Sequence, residues 1–81
     1  MLSDHPVTLG QRTVRIDGRR TTLVMERYFL SALGDVATGH GLTVDQFVTS
    51  VAAEDGLKAI GAKVRLRIVS YYRERERALM H

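Results

Sequence analysis

The side chains best equipped for chemistry lie together in TVRIDGRRTTLVM, Thr13 to Met25. Arg15, Arg19 and Arg20 offer planar guanidinium forks that match phosphate oxygens or the O6 and N7 of a guanine. The threonines add hydroxyls that both donate and accept. With Arg12 just ahead of them, these groups suit recognition of a polyanion rather than bond-breaking catalysis. The chain has no Cys, so it has neither a thiol nucleophile nor a thiolate metal site. Its histidines, His5, His40 and His81, are scattered without ligand spacing. Asp35 and Asp45 read as surface charges, not as an acid/base pair. No Gly-rich phosphate loop opens a helix, since GHGLT, Gly39 to Thr43, follows one. Neither an enzyme nor a cofactor, metal included, is expected.

The charge is distributed unevenly, and the distribution says more than the net +3 of the 81 residues. Residues 11–28 carry five Arg against Asp17 and Glu26. Residues 29–57 carry Asp35, Asp45, Glu54 and Asp55 with no Lys or Arg. Residues 58–81 carry seven Lys or Arg against Glu74 and Glu76. Basic charge therefore gathers on the TVRIDGRRTTLVM stretch and near the C-terminus, which suggests a polyanionic partner.

The elements that must position these groups follow from pattern. Two alternating runs flank Asp17-Gly18, a strong hairpin signal because both residues tolerate positive φ. A two-residue turn there sets Arg15 opposite Arg20, Val14 opposite Thr21 and Thr13 opposite Thr22. One face then carries Thr13, Arg15, Arg20, Thr22 and Val24. The other carries Val14, Ile16, Thr21, Leu23 and Met25 and is mostly apolar. Glu26 to about Thr38 reads as a helix, with Phe29, Leu33, Val36 and Ala37 on one face. Gly41 suits the left-handed residue that closes a helix. TVDQ, Thr43 to Gln46, is a capping box opening a second helix, whose stripe is Val44, Phe47, Val48, Val51 and Ala52. EDG, Glu54 to Gly56, ends it. A third helix is expected from Leu57 to Leu79, with Leu57, Ile60, Val64, Ile68, Tyr71 and Tyr72 as its stripe.

Residues 12–79 are expected to form one domain behind a flexible arm, residues 1–11. The start, MLSDHPVTLG, lacks the basic and apolar regions of a signal peptide. No apolar run approaches the ~18 residues of a membrane span. A cytoplasmic location, away from membranes, is expected. A domain this small buries only about 60 % of its unfolded surface. Without disulfide or metal, oligomerisation is its expected source of stability.

The order basic strand, helix closing in Gly, Thr-capped helix resembles the ribbon-helix-helix family of bacterial DNA-binding proteins, the Arc/MetJ type. TTLVMERYFLSALGDVATGHGLTVDQFV looks like that family's core. MERYFLSAL and KVRLRIVSYYRE resemble a subgroup with an added C-terminal helix, and the resemblance covers residues 12–75. It implies a mainly α fold with a short β-ribbon, an intertwined homodimer with intermolecular antiparallel strands. This chain adds an N-terminal strand, making a hairpin, and a third helix. Aligned through Gly41, the resemblance puts the family's base-reading positions on Arg20, Thr22 and Val24. Arg12, Arg15, Arg19 and the amides near Thr43 and Val44 are the expected contacts to the DNA backbone. The shared dimer core would draw on Leu23, Met25, Phe29, Leu33, Val36, Val44, Phe47, Val48 and Val51.

The expected function is that of a sequence-specific transcriptional regulator, a repressor, reading double-stranded DNA through a two-chain ribbon in the major groove. Two dimers side by side would read a repeated site. The alternative is an antitoxin-like or adaptor dimer whose third helix docks on a protein partner, since Leu66 and Val69 are apolar outside the helix's main stripe. An ordered hairpin would give the dimer four strands, about 14 Å between outer axes at ~4.8 Å spacing. The groove is about 12 Å wide, so either the outer strands bend away along the backbone, with Arg12 and Arg15 on phosphates, or they become ordered only on binding, or the sheet does not insert at all.

Overall fold

The computed structural model describes residues 8–80. Two antiparallel strands, β1 (Leu9–Ile16) and β2 (Arg19–Glu26), are followed by three helices, α1 (Arg27–Gly39), α2 (Val44–Asp55) and α3 (Ile60–Leu79). The expected hairpin is present. Asp17 and Gly18 both have positive φ, 53° and 82°, the two-residue turn whose twist matches the strands it joins. The pairing runs the full length of both strands, from Ile16 opposite Arg19 to Leu9 opposite Glu26. It takes in Leu9, Gly10 and Gln11, which the sequence reading had assigned to the arm; residues 1–7 of that arm lie outside the described residues.

The hairpin lies as one layer against the helices, and the described molecule is only 19 Å across its thinnest axis. Val14, Ile16, Leu23 and Met25 bury the inner face of the sheet. Leu33, Val36 and Ala37 of α1, Phe47, Val48 and Val51 of α2, and Ile60, Val64 and Ile68 of α3 complete the core. Phe29 and Val44 are half-buried at its margin.

Local chemistry fixes the helix ends. The Leu42 N–H donates to Ala37 O and the Gly41 N–H to Thr38 O, both at 2.9 Å, closing α1. That pair of bonds needs a left-handed residue between helix and turn, and Gly41 supplies it with φ 73°. The Lys63 ammonium donates to the Asp55 carbonyl at 2.6 Å, meeting the free end of α2. His40 leaves α1 with Nδ1 at 2.9 Å from Val36 O, its ring against Phe47 and Tyr71. Gly39 makes room for a side chain of α3: a Cβ there would collide with the Tyr71 hydroxyl.

The third helix starts later than the apolar spacing suggests. Residues 57–59 form a turn, and Ala59 holds a left-handed conformation, φ 53°. Leu57 is 54 % exposed and does not join the stripe. The reversal after Gly56 swings it away before the chain re-enters the core at Ile60. Among the described residues, no helix is long and apolar enough to cross a membrane.

Candidate nucleic-acid interface

Strand alternation sends every second hairpin side chain away from the helices. The outward pairs are Gln11 with Val24, Thr13 with Thr22 and Arg15 with Arg20, and all six residues are exposed. The face read from the sequence is the face observed. Gln11 was missed, although the alternation needed only one further step beyond Thr13. Val24 leaves 54 % of its surface in solvent despite being apolar.

The Arg15/Arg20 pair is unusual. Like charges directly across a sheet cost stability, on the order of 0.2–1 kcal/mol. Neither guanidinium has a carboxylate within bridging distance among the described residues. Two cations are thus held side by side on an exposed strand face without an ion-pair partner.

Arg12 and Arg19 belong to the other face. Arg12 lies opposite buried Leu23, and Arg19 opposite buried Ile16. Both are exposed, at the margin of the face that covers the core. The structure therefore does not join them to Arg15 and Arg20, because a period of two puts them with the apolar set.

The two edges of the sheet differ. Next to a two-residue turn, hydrogen-bonded pairs alternate with pairs whose N–H and C=O groups point outward. Arg15 and Arg20 form such an outward pair. On β1 the outward groups of Arg15 are taken by α2: its N–H donates to Asp45 Oδ1, and the Thr49 hydroxyl donates to its carbonyl, each at 3.2 Å. Helix α2 packs against β1 and not β2, whereas α3 packs against β2 and not β1. The outer edge of β2 has no such cover. The outward N–H and C=O groups of Arg20, Thr22 and Val24 have no hydrogen bond outside the hairpin among the described residues.

Glu26 ends β2 and anchors α3. Its carboxylate accepts from the Arg65 guanidinium at 2.6 Å, and Arg65 lies 5.4 Å from the centre of the Phe29 ring. Its own backbone N–H, then Arg65, hold the Glu26 carboxyl below the usual carboxylate range. On the far side of α3, Arg67 bridges Glu54 and, at 3.3 Å, Asp55. Arg65 and Arg67 are thus neutralised within the fold, while Arg15 and Arg20 are not.

The capping box at α2 is formed. Thr43 Oγ1 accepts from the Gln46 N–H at 3.1 Å, and Gln46 Oε1 accepts from the Thr43 N–H at 2.9 Å. This corrects one expectation. The Thr43 amide is occupied by the Gln46 side chain and is not free for a phosphate. The amides of Val44 and Asp45 remain. The Asp45 carboxylate is drawn toward β1 by its bond to Arg15.

Comparison with known proteins agrees with this architecture. Neither the curated proteins nor the solved structures give a significant match. The model of one family, described as a ribbon-helix-helix domain, matches residues 9–72, from the first residue of β1 into the last turns of α3. With a basic strand, a Gly-closed helix and a Thr-capped helix in that order, the chain belongs to the ribbon-helix-helix domain family, which gives it the general role of a DNA-binding regulator or antitoxin-like protein.

Proposed function

We propose that the protein is a sequence-specific DNA-binding regulator, a repressor, that works as a homodimer. The open edge of β2 pairs with the same edge of a second copy. Outward groups on Arg20, Thr22 and Val24 make Thr22 the natural centre of an antiparallel pairing. The resulting ribbon presents both copies of these three side chains to the major groove. Arg20 donates a bidentate pair to guanine. Thr22 bonds a base edge or sets its methyl against thymine. Val24 contributes apolar contact to a thymine methyl.

The observation that carries this reading is the uncompensated Arg15/Arg20 pair on an exposed strand face. A polyanion removes the repulsion that the fold leaves in place. The outer strand lies over the groove wall, so Arg15 meets phosphate while Arg20 meets bases. Arg12 and Arg19 add phosphate contacts from the sheet margin. The Val44 amide, at the positive end of α2, offers another.

A second reading, an adaptor docked on a protein through α3, is favoured by Leu66, which is exposed and outside the core. An anisotropy titration against the DNA upstream of its own coding sequence, with unrelated DNA as competitor, separates the two. Binding that survives the competitor and weakens steeply with salt supports the regulator. Binding no tighter than to unrelated DNA, by a protein shown to be dimeric, supports the adaptor.

A further inference from the structure

Helix α3 has two apolar sides, and the core uses one. Ile60, Val64 and Ile68 are buried. Val69, Tyr72 and Leu79 recur at helical spacing on an adjacent side and remain open. With Tyr28, Phe29 and Ala32 of α1 they line a groove of about 620 Å³. Tyr28 is 64 % exposed and Tyr72 44 %, so these rings lie in solvent within one chain.

The position of the groove narrows what can fill it. Arg67 faces α2 through Glu54 and Asp55, and Arg65 faces the end of β2 through Glu26. Val69 and Tyr72 share the Arg65 side of α3, four and seven residues on. The open apolar stripe therefore lies on the side of α3 turned toward the end of β2. Helix α3 also flanks the β2 edge, whose outward groups at Arg20, Thr22 and Val24 have no hydrogen bond outside the hairpin among the described residues.

We propose that a second copy of this chain fills the groove, so that α3 is part of the dimer interface. The inference rests on the β2-to-β2 pairing above. That pairing brings a second copy to the side of the molecule that the stripe occupies. Two strand edges alone bury little side-chain surface, whereas a stable dimer buries about 1,200–2,000 Å² in all. The stripe and the α1 rings supply the apolar remainder. The rim of the groove carries both signs, Arg73 and Arg75 with Glu76. A two-fold axis can set such a surface against itself with opposite charges facing.

The test is sedimentation equilibrium on the full chain over a range of concentrations, with circular dichroism as the check on folding. Three variants are compared with wild type. Val69→Glu/Tyr72→Glu charges the groove. Leu66→Glu charges α3 outside the groove. Thr22→Pro removes a pairing N–H at the centre of the β2 edge. The expected result is a wild-type dimer whose dissociation constant rises roughly a hundredfold in the groove variant, as for loss of two buried anchors. Leu66→Glu should leave it within about threefold. A groove variant that is folded and as dimeric as wild type overturns the proposal and leaves the groove to a protein partner. Dissociation by the groove variant with an intact Thr22→Pro dimer keeps the proposal and overturns the ribbon pairing. A monomeric wild type overturns both. Should the groove variant unfold, Tyr72→Cys in this Cys-free chain serves instead: crosslinking of two chains by a short bismaleimide supports the proposal, and no crosslink overturns it.

Discussion

Exchanging Arg15 for Gln should make the protein more stable and a weaker DNA binder at once. Arg15 lies directly across from Arg20 on the outward face with no acidic partner among the described residues. Neutralising it removes a like-charge cross-strand pair, a gain of about 0.2–1 kcal/mol. Its backbone bonds to Asp45 and Thr49 are untouched, so α2 stays in place. On DNA the change removes one phosphate contact per chain and two per dimer. The slope of log affinity against log salt should fall by about 1.8. Between about 50 and 200 mM salt, the wild type should therefore lose roughly twelvefold more affinity than the variant. Loss at specific and unrelated DNA should be equal. Arg20→Ala should behave differently, because a bidentate guanine contact carries about 1–3 kcal/mol of discrimination. Two such contacts per dimer amount to roughly thirtyfold or more in the ratio of specific to unrelated binding. Urea unfolding at low salt and anisotropy titrations at several salt concentrations measure all of these. If Arg15→Gln erased discrimination while leaving the salt slope unchanged, the division of labour between outer and inner strand would be refuted.

Three further perturbations test the fold around the ribbon. Leu33→Ala, at a fully buried position between sheet and helices, should cost about 2–5 kcal/mol in urea unfolding. Gly39→Ala drives a methyl into the Tyr71 hydroxyl and should cost about 1–3 kcal/mol, partly regained by adding Tyr71→Phe. The Glu26 carboxyl titrates below its ordinary 4.5 in the folded chain, so its contribution to stability is present above that value and lost as pH falls through the folded pKa. Thermal melts of wild type and Glu26→Gln should accordingly differ at neutral pH and converge in acid.

The parts of this architecture legible in the sequence are those set by neighbours a few residues apart. Asp17-Gly18 announced the hairpin, Thr43 with Gln46 the start of α2, and Gly41 the end of α1. Period-two alternation then sorted Arg15, Arg20 and Thr22 from Leu23 and Met25. What stayed hidden depends on distant parts of the chain. The bonds from Asp45 and Thr49 to Arg15 span 30 and 34 residues, and no local pattern marks them. The same bonds changed the meaning of Asp45, which the sequence offered only as a first-turn charge. The late start of α3 escaped because Leu57 fits the helical stripe as well as Ile60 does. Only the left-handed Ala59 separates them. The proposal that Arg20, Thr22 and Val24 read bases rests on family resemblance together with the exposed face, and periodicity alone could not have suggested it.

The hydrogen bonds from α2 to Arg15 also bias which strand edge a second copy can use. A flat strand with both sides open adds copies without end, which is how fibrils grow. Here helix side chains have already consumed the outward groups of Arg15 on β1, and nothing does the same on β2 among the described residues. A partner strand on the β1 edge would lose its ladder bonds at Arg15, beside the turn, whereas the β2 edge offers Arg20, Thr22 and Val24 without that interruption. In the proposed dimer the bias toward β2 is thus built in before any second copy arrives, by a threonine and an aspartate on a neighbouring helix.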